Sequence, residues 1–329
     1  MKTKHLHVFG IGSAIVDIQL QISHEEFHAL GLDKGTMNLV DAERQRELLE
    51  KFAHLAPHKA SGGSAANTVI AVAQFGGKAG FGTLLGNDHL GQFYADEFAT
   101  LGIHLVAHVV DGDTGTSVIV ITPDSERTMN TALAVNSQYA RHHISEEPIQ
   151  NAEWLYVESY KLTDQTGAEA LEEAIFTAQK HDTRIAVSFS DTFIVNVFGE
   201  HLRKVVSEAD LIFCNYTEGQ AFTGKDDREE IFQALKATVP NVALTLGSEG
   251  SLIHFGGKDY FIPALSTQPV DTTGAGDMFA GGFLYGITHG HSPKQAAELG
   301  SHAAARVIAK MGPRLPHDEV HSVRKLVLQ

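Results

Sequence analysis

The stretch "DTTGAGDMFAGGFLYG", residues 271–286, sets how the rest of the chain is read. Gly274 and Gly276 stand just before Asp277. Met278, Phe279, Gly282, Phe283 and Gly286 then recur at helical spacing. A helix starting near Gly274 leaves the amides of Gly274, Ala275, Gly276 and Asp277 without intrahelical acceptors. At the positive end of the helix dipole such amides form an anion site. Missing side chains let a phosphate approach the backbone closely. An Asp there can take the proton of an attacking hydroxyl, so the pattern holds the parts that phosphoryl transfer needs. The dipole should also depress the Asp277 pKa, which predicts a weak base at rest. The competing reading is a glycine-rich turn with Asp277 merely complementing the dipole, and the stretch alone leaves both open.

Downstream of residue 150, "EWLYVESY" (153–160), "RIAVSFS" (184–190), "DLIFCN" (210–215) and "VALTLG" (242–247) are short apolar runs of the buried-strand type. Helical patterns such as "GAEALEEAIFTAQK" and "DREEIFQALKAT" separate them. The alternation predicts an α/β fold with a mostly parallel central sheet covered by helices on both faces. "IVDIQLQI" (15–22) differs, because Asp17, Gln19 and Gln21 alternate with Ile18, Leu20 and Ile22. "TGTSVIVIT" (114–122) looks similar. One polar face implies a small second sheet, a β lid beside the main one. With no linker or repeat, the expectation is one domain over 1–329, its lid built from insertions around 13–45 and 104–130.

With 329 residues, 43% of them hydrophobic, the chain can bury a large core. A formal net charge of -15 and the lack of any Lys/Arg cluster argue against a nucleic-acid partner. The single cysteine, Cys214, excludes an internal disulfide and fits a reducing, cytoplasmic setting. The opening "MKTKHLHVFGIGSAIVDIQL" is interrupted by glycines and Asp17, so it reads as strands rather than a leader. No run has the length of a membrane span.

"SGGSAANTVIAVAQFGGKAGFGTLLGND" (61–88) carries a second glycine pair. Gly62 and Gly63 suit either a hinge or close approach of backbone to ligand, with Asn67 as a polar handle. Together, "GGSAANTVIAVAQFGGKAGFGTLLGNDHLGQFYADEF" (62–98) and "DTTGAGDMFAGGF" (271–283) resemble the two signature regions of the PfkB carbohydrate kinases, the ribokinase or adenosine kinase family. The likeness runs from "VFGIGSAIVD" to "AAARVIAKMGPRLP" and implies a ribokinase-like fold. It implies an ATP- and Mg²⁺-dependent kinase acting on a nucleoside or sugar hydroxyl. By the same resemblance Asp277 is the catalytic base, with Gly274, Ala275 and Gly276 as its anion hole. "NYTE" matches a motif in which Asn215 and Glu218 organise Mg²⁺ and phosphate through water. Asn followed three residues later by Glu is also a helix-capping arrangement. Thr245, Gly247 and Gly250 of "TLGSEG" match an ATP-contacting turn that could equally be a hairpin connection. Asp271 and Thr273 fall where relatives hold a monovalent cation such as K⁺, and His302 where some approach adenine.

On the acceptor side Asp17 matches a sugar-hydroxyl ligand, since one carboxylate can accept from two vicinal hydroxyls. Asn38, within "GLDKGTMNLVD" (31–41), joins Gly62, Gly63 and Asn67 as an acceptor-side candidate. "ESYKLTD", "SFSDTF" and "ERTMNT" resemble adenosine-kinase segments flanking a nucleobase, which makes Tyr160, Phe193 and Met129 candidates to sandwich a purine. Monomer and homodimer through the lid are both compatible with the chain. A dinucleotide-binding oxidoreductase is disfavoured because Ile15 replaces the third glycine of G-x-G-x-x-G. No G-x-x-x-x-G-K-[ST] occurs, which disfavours a P-loop NTPase. A non-catalytic binding relative would not need Asp277.

Overall fold

A computed structural model describes residues 4–124 and 126–329, so the first three residues of the opening stretch lie outside it. The chain begins with β1 (Leu6–Ile11), β2 (Ile15–Gln21), α1 (His24–His28), β3 (Met37–Leu39), α2 (Ala42–Lys51) and β4 (His58–Gly62). Next come α3 (Ser64–Gln74), β5 (Ala79–Gly86), α4 (His89–Thr100), β6 (His104–Val110), β7 (Gly115–Ile121) and β8 (Arg127–Ala132). Then follow α5 (Glu146–Gln150), β9 (Ala152–Glu158), α6 (Gln165–Lys180), β10 (Arg184–Ser188), α7 (Thr192–Val197) and α8 (Gly199–Ser207). After β11 (Leu211–Asn215) come α9 (Tyr216–Thr223), α10 (Arg228–Lys236) and a hairpin-like run of β12 (Val242–Thr245), β13 (Gly250–Phe255) and β14 (Lys258–Pro263). The chain closes with α11 (Ala275–Thr288), α12 (Pro293–Val307) and α13 (His317–Leu328).

Nine strands form the large sheet in the order β14-β13-β12-β11-β10-β9-β1-β5-β6. All neighbours are parallel except the β12–β13 and β13–β14 pairs at one edge. The apolar runs are strands buried on both faces, and their alternate residues feed two cores. In β9, Trp154 and Tyr156 join the core that holds Val69 of α3 and Phe283 of α11. Leu155 and Val157 join the opposite one, with Leu171 of α6, Leu202 of α8 and Ile231 of α10.

A second sheet of five strands has the order β3-β8-β7-β2-β4. Its composition corrects two expectations. The segment 104–110 is not lid: β6 pairs with β5 at the edge of the large sheet, and β4 supplies a lid strand from beyond residue 45. Every residue of β7 is buried. The lid's outer face is covered by α1 and α2, whose Phe27 and Leu48 are buried in one core with Ile18, Leu20, Val118 and Val120. Gln45 of α2 also donates to the carbonyl and hydroxyl of Thr116. The alternation seen in "IVDIQLQI" therefore separates a helix-covered side from a cavity-facing side. No helix among the described residues is long and apolar enough to cross a membrane.

Candidate active site

The cavity between the two sheets holds about 380 Å³ and reaches from the lid to the start of α11. Gly274 caps that helix in the left-handed region, at φ 75°. A Cβ there would stand 2.6 Å from the Pro313 Cβ, so no other residue fits. Gly276 differs, because a Cβ on it would meet nothing within 4 Å. The protein's own packing does not require a glycine at 276, and the open space faces the cavity. The amides of Gly276 and Asp277 have no acceptor among the described residues, whereas Ala275 donates weakly to the Thr272 carbonyl at 3.3 Å. An anion seated at this helix start would meet donors ready for it.

Asp277 sits one residue further, on the cavity wall. Its Oδ1 accepts from the Ser64 hydroxyl at 2.6 Å and its Oδ2 from the Asn67 amide at 3.2 Å. Burial pushes its pKa up to about 7, and the two hydrogen bonds only partly offset this. The expected depression by the helix dipole is overturned: loss of water around the carboxylate outweighs it. The resting group is thus a base matched to neutral pH.

Toward the lid, Asp17 is buried in the cavity wall. Gly62 makes room for it, since a Cβ on Gly62 would lie 2.6 Å from Asp17 Oδ2. Burial raises Asp17 to about 6, with Arg314 and Arg127 pulling it back. Gly63 caps α3 at φ 102° and, with Asn67, lines the cavity. Tyr160, Met129 and Phe193 line it as well. Asn38 does not: in β3 its neighbours Met37 and Leu39 face the cavity, and strand alternation turns Asn38 away to bond Thr36. Sequence reasoning missed Ser64, one residue past the glycine pair, and Glu158. The Glu158 carboxylate is buried and accepts from the amides of Ser13 and Ala65, joining the lid's first strand to α3.

At the other end, Asn215 and Glu218 form a complete capping box at the start of α9. Both also line the cavity, so capping and ligand-facing placement coexist. Burial raises Glu218 to about 7. Asn215 and Thr245 continue into a second cavity of about 320 Å³ that Gly247 also lines. Three sequence-based assignments fail here. Gly250 lies outside both cavities, and only glycine fits there because φ is 114° and a Cβ would strike the Ile262 carbonyl in the adjoining strand. His302 is half-buried on α12 and lines neither cavity. Asp271 is not free for K⁺: one oxygen accepts from Thr273 and the other from Arg127 and Gly312 in a buried ion pair. Thr273 stays on the cavity wall without that partner.

Comparison with known proteins places this geometry. A model of the "pfkB family carbohydrate kinase" matches residues 36–319. A ribokinase of Haemophilus influenzae is 30% identical over 264 residues, covering 77% of this chain and 82% of that protein. An adenosine kinase of Saccharomyces cerevisiae is 26% identical, covering 94% and 97%. The crystal structure of adenosine kinase from Sinorhizobium meliloti superposes with a TM-score of 0.89 at 31% identity, covering 98% of this chain and 99% of that one.

Proposed function

The chain belongs to the pfkB family of carbohydrate kinases, phosphotransferases with an alcohol acceptor, and on that footing we propose that it moves the γ-phosphoryl group of ATP to the primary hydroxyl of an adenosine-like purine nucleoside. The observation that carries the kinase chemistry is the pairing of Asp277 with unpartnered amides at one helix start. Ionised Asp277 takes the acceptor's hydroxyl proton while the oxygen bonds to the γ-phosphorus and the bond to ADP breaks. Charge on the phosphoryl oxygens is met by the amides around Gly276. ATP would occupy the second cavity and the passage from it past Asn215 and Thr245.

Metal use is consistent with the donor set. Glu218 Oε2 is engaged by the Asn215 amide, and among the described residues no three His, Cys, Asp or Glu side chains group to hold an ion. Such a site suits Mg²⁺ carried on the phosphates and reached by Glu218 through water, because Mg²⁺ keeps most of its hydration. When bound it would neutralise phosphate charge.

The nucleoside acceptor is supported by the lid's inner face. One cross-strand row is polar up to Leu39 at its β3 end: Asp17 pairs with Ser117 and Ser117 with Thr131. The next is apolar beyond Gln19: Ile119 pairs with Met129 and Met129 with Met37. Hydroxyls of a ribose fit the first row and the flat face of a base the second. A ribokinase- or fructokinase-type sugar acceptor would fill the polar row only, leaving the apolar one wet. ATP consumption with adenosine, inosine, ribose and fructose, with and without Mg²⁺, tests the reading. Mg²⁺-dependent turnover is expected to be fastest with adenosine. Faster turnover of ribose or fructose would overturn the acceptor assignment.

A further inference from the structure

We propose that Arg314, in the segment between α12 and α13, is a positioning residue for the reaction, orienting Asn67 beside Asp277 and, through Ser61 next to the Gly62 that abuts Asp17, placing its charge at the Asp17 end of the pocket. This rests on the kinase reading above. The guanidinium is 13% exposed and joins three elements. Its Nη1 donates to Glu97 Oε1 of α4 at 2.8 Å, its Nη2 to the Ser61 hydroxyl of β4 at 3.0 Å, and its Nε to Asn67 Oδ1 of α3 at 3.4 Å. Asn67 in turn donates from Nδ2 to Asp277. An arginine only donates and an ionised carboxylate only accepts. Between them the Asn67 amide therefore has one workable orientation, oxygen toward Arg314 and nitrogen toward Asp277. Without Arg314 the Asn67 oxygen has no donor among the described residues, and the amide is free to make a half-turn whenever Asp277 is protonated.

The segment's course supports a role in the site rather than in the fold alone. Gly312 donates to Asp271, Pro313 packs on Gly274, and Arg314 follows directly. Within four residues the chain touches the loop before α11, the helix cap and the acceptor pocket. Around Asp17 the charged groups are Arg314, Arg127 of β8, Asp271 and Glu97, and the buried Tyr94 of α4 lies among the same groups and donates to the Gly62 carbonyl. Removing Arg314 takes away one cation and also uncovers Glu97. Both changes favour protonated Asp17, which accepts fewer hydrogen bonds from acceptor hydroxyls.

Arg314→Met and Arg314→Lys test the proposal. In Arg314→Met the acceptor KM at pH 7 is expected to rise several-fold, since Asp17 without a nearby cation holds its proton more readily and accepts fewer hydrogen bonds. The kcat is expected to fall ~10–100-fold from misplacement of Asp277, with the KM for ATP within about 2-fold of wild type. The acidic limb of acceptor kcat/KM should move to higher pH, because Asp277 loses the Asn67 hydrogen bond that lowers it and Asp17 loses a cation. Arg314→Lys should move that limb part of the way back, because the charge stays, but should not restore kcat, because an ammonium cannot span three partners. Should the Met variant fail to fold, the Lys variant still decides through its kcat. An acceptor kcat/KM and pH limb identical to wild type, with only a lower Tm, would overturn the proposal. Carboxyl NMR titration of Asp17 in wild type and Arg314→Met gives a readout independent of turnover. An upward midpoint is expected and an unmoved one overturns the idea, even if no alcohol proves to be phosphorylated and the kinase reading itself fails.

Discussion

At the scale of single residues, the site separates groups that fold the protein from groups that act. Gly274 is held by its left-handed φ and by Pro313, whereas Gly276 has open space around it. Gly276→Ala should therefore leave the Tm unchanged, since the added methyl meets no protein atom. Its methyl would point where phosphate must approach, so kcat/KM for ATP should fall ~10²-fold, as when an oxyanion donor is lost. Thermal melting and steady-state kinetics on one variant check both halves. Asp277→Asn should lose ~10²–10⁴-fold in kcat while still binding ATP. Its stability follows from the sign of the shift. Asp277 is raised to about 7, so the stability penalty of ionising it is absent below about pH 4, grows as the unfolded carboxyl ionises ahead of the folded one, and is complete above about pH 7. The variant should melt higher than wild type at pH 8, by a few degrees, and the two should converge only below about pH 4. Wild-type activity should fall as pH drops through about 7. The type and place of Asp277 were legible in the sequence because helix-start chemistry is local. Its proton affinity was not, because burial is set by the lid and α3, which lie far away in the chain.

At the scale of elements, α11 delivers Asp277 by packing closely against two other helices. A Cβ on Gly281 would lie 2.4 Å from the Ala71 Cβ of α3, and one on Gly282 would lie 2.9 Å from the Gly300 Cα of α12. These small residues fix how near Asp277 comes to Ser64 and Asn67. Gly281→Val should cost about 1–3 kcal/mol in denaturant unfolding by overpacking. It should also lower kcat in the surviving folded enzyme, since α3 and α11 carry the two halves of the hydrogen-bonded base. Unchanged kinetics per folded molecule would mean that the helix spacing does not position the base. The glycine spacing could be read beforehand. Which helix each glycine meets could not, and the same holds for the lid: "IVDIQLQI" displayed its two faces, yet nothing local announced that α1 and α2 would cover one of them.

For the whole molecule, that covering bears on assembly. Ile18, Leu20, Val118 and Val120 are already buried with Phe27 and Leu48, so the lid's outer face offers no bare apolar sheet to a second copy. No dimer should therefore form through that apolar sheet; a dimer in which the exposed residues of α1 and α2 lose hydrogen exchange as protein concentration rises would contradict this. The chain's own residues determined the layered α/β architecture, because buried strands and amphipathic helices are written in short-range periodicity, and they determined the catalytic helix start, because its glycines and carboxylate are neighbours in sequence. Tertiary structure alone decided that Asn38 turns away, that Asp271 is taken by Arg127, and that Arg314 stands between Asn67, Glu97 and Ser61. Side-chain partnership across long chain separations depends on which faces meet after folding, and no local pattern of residues carries that information.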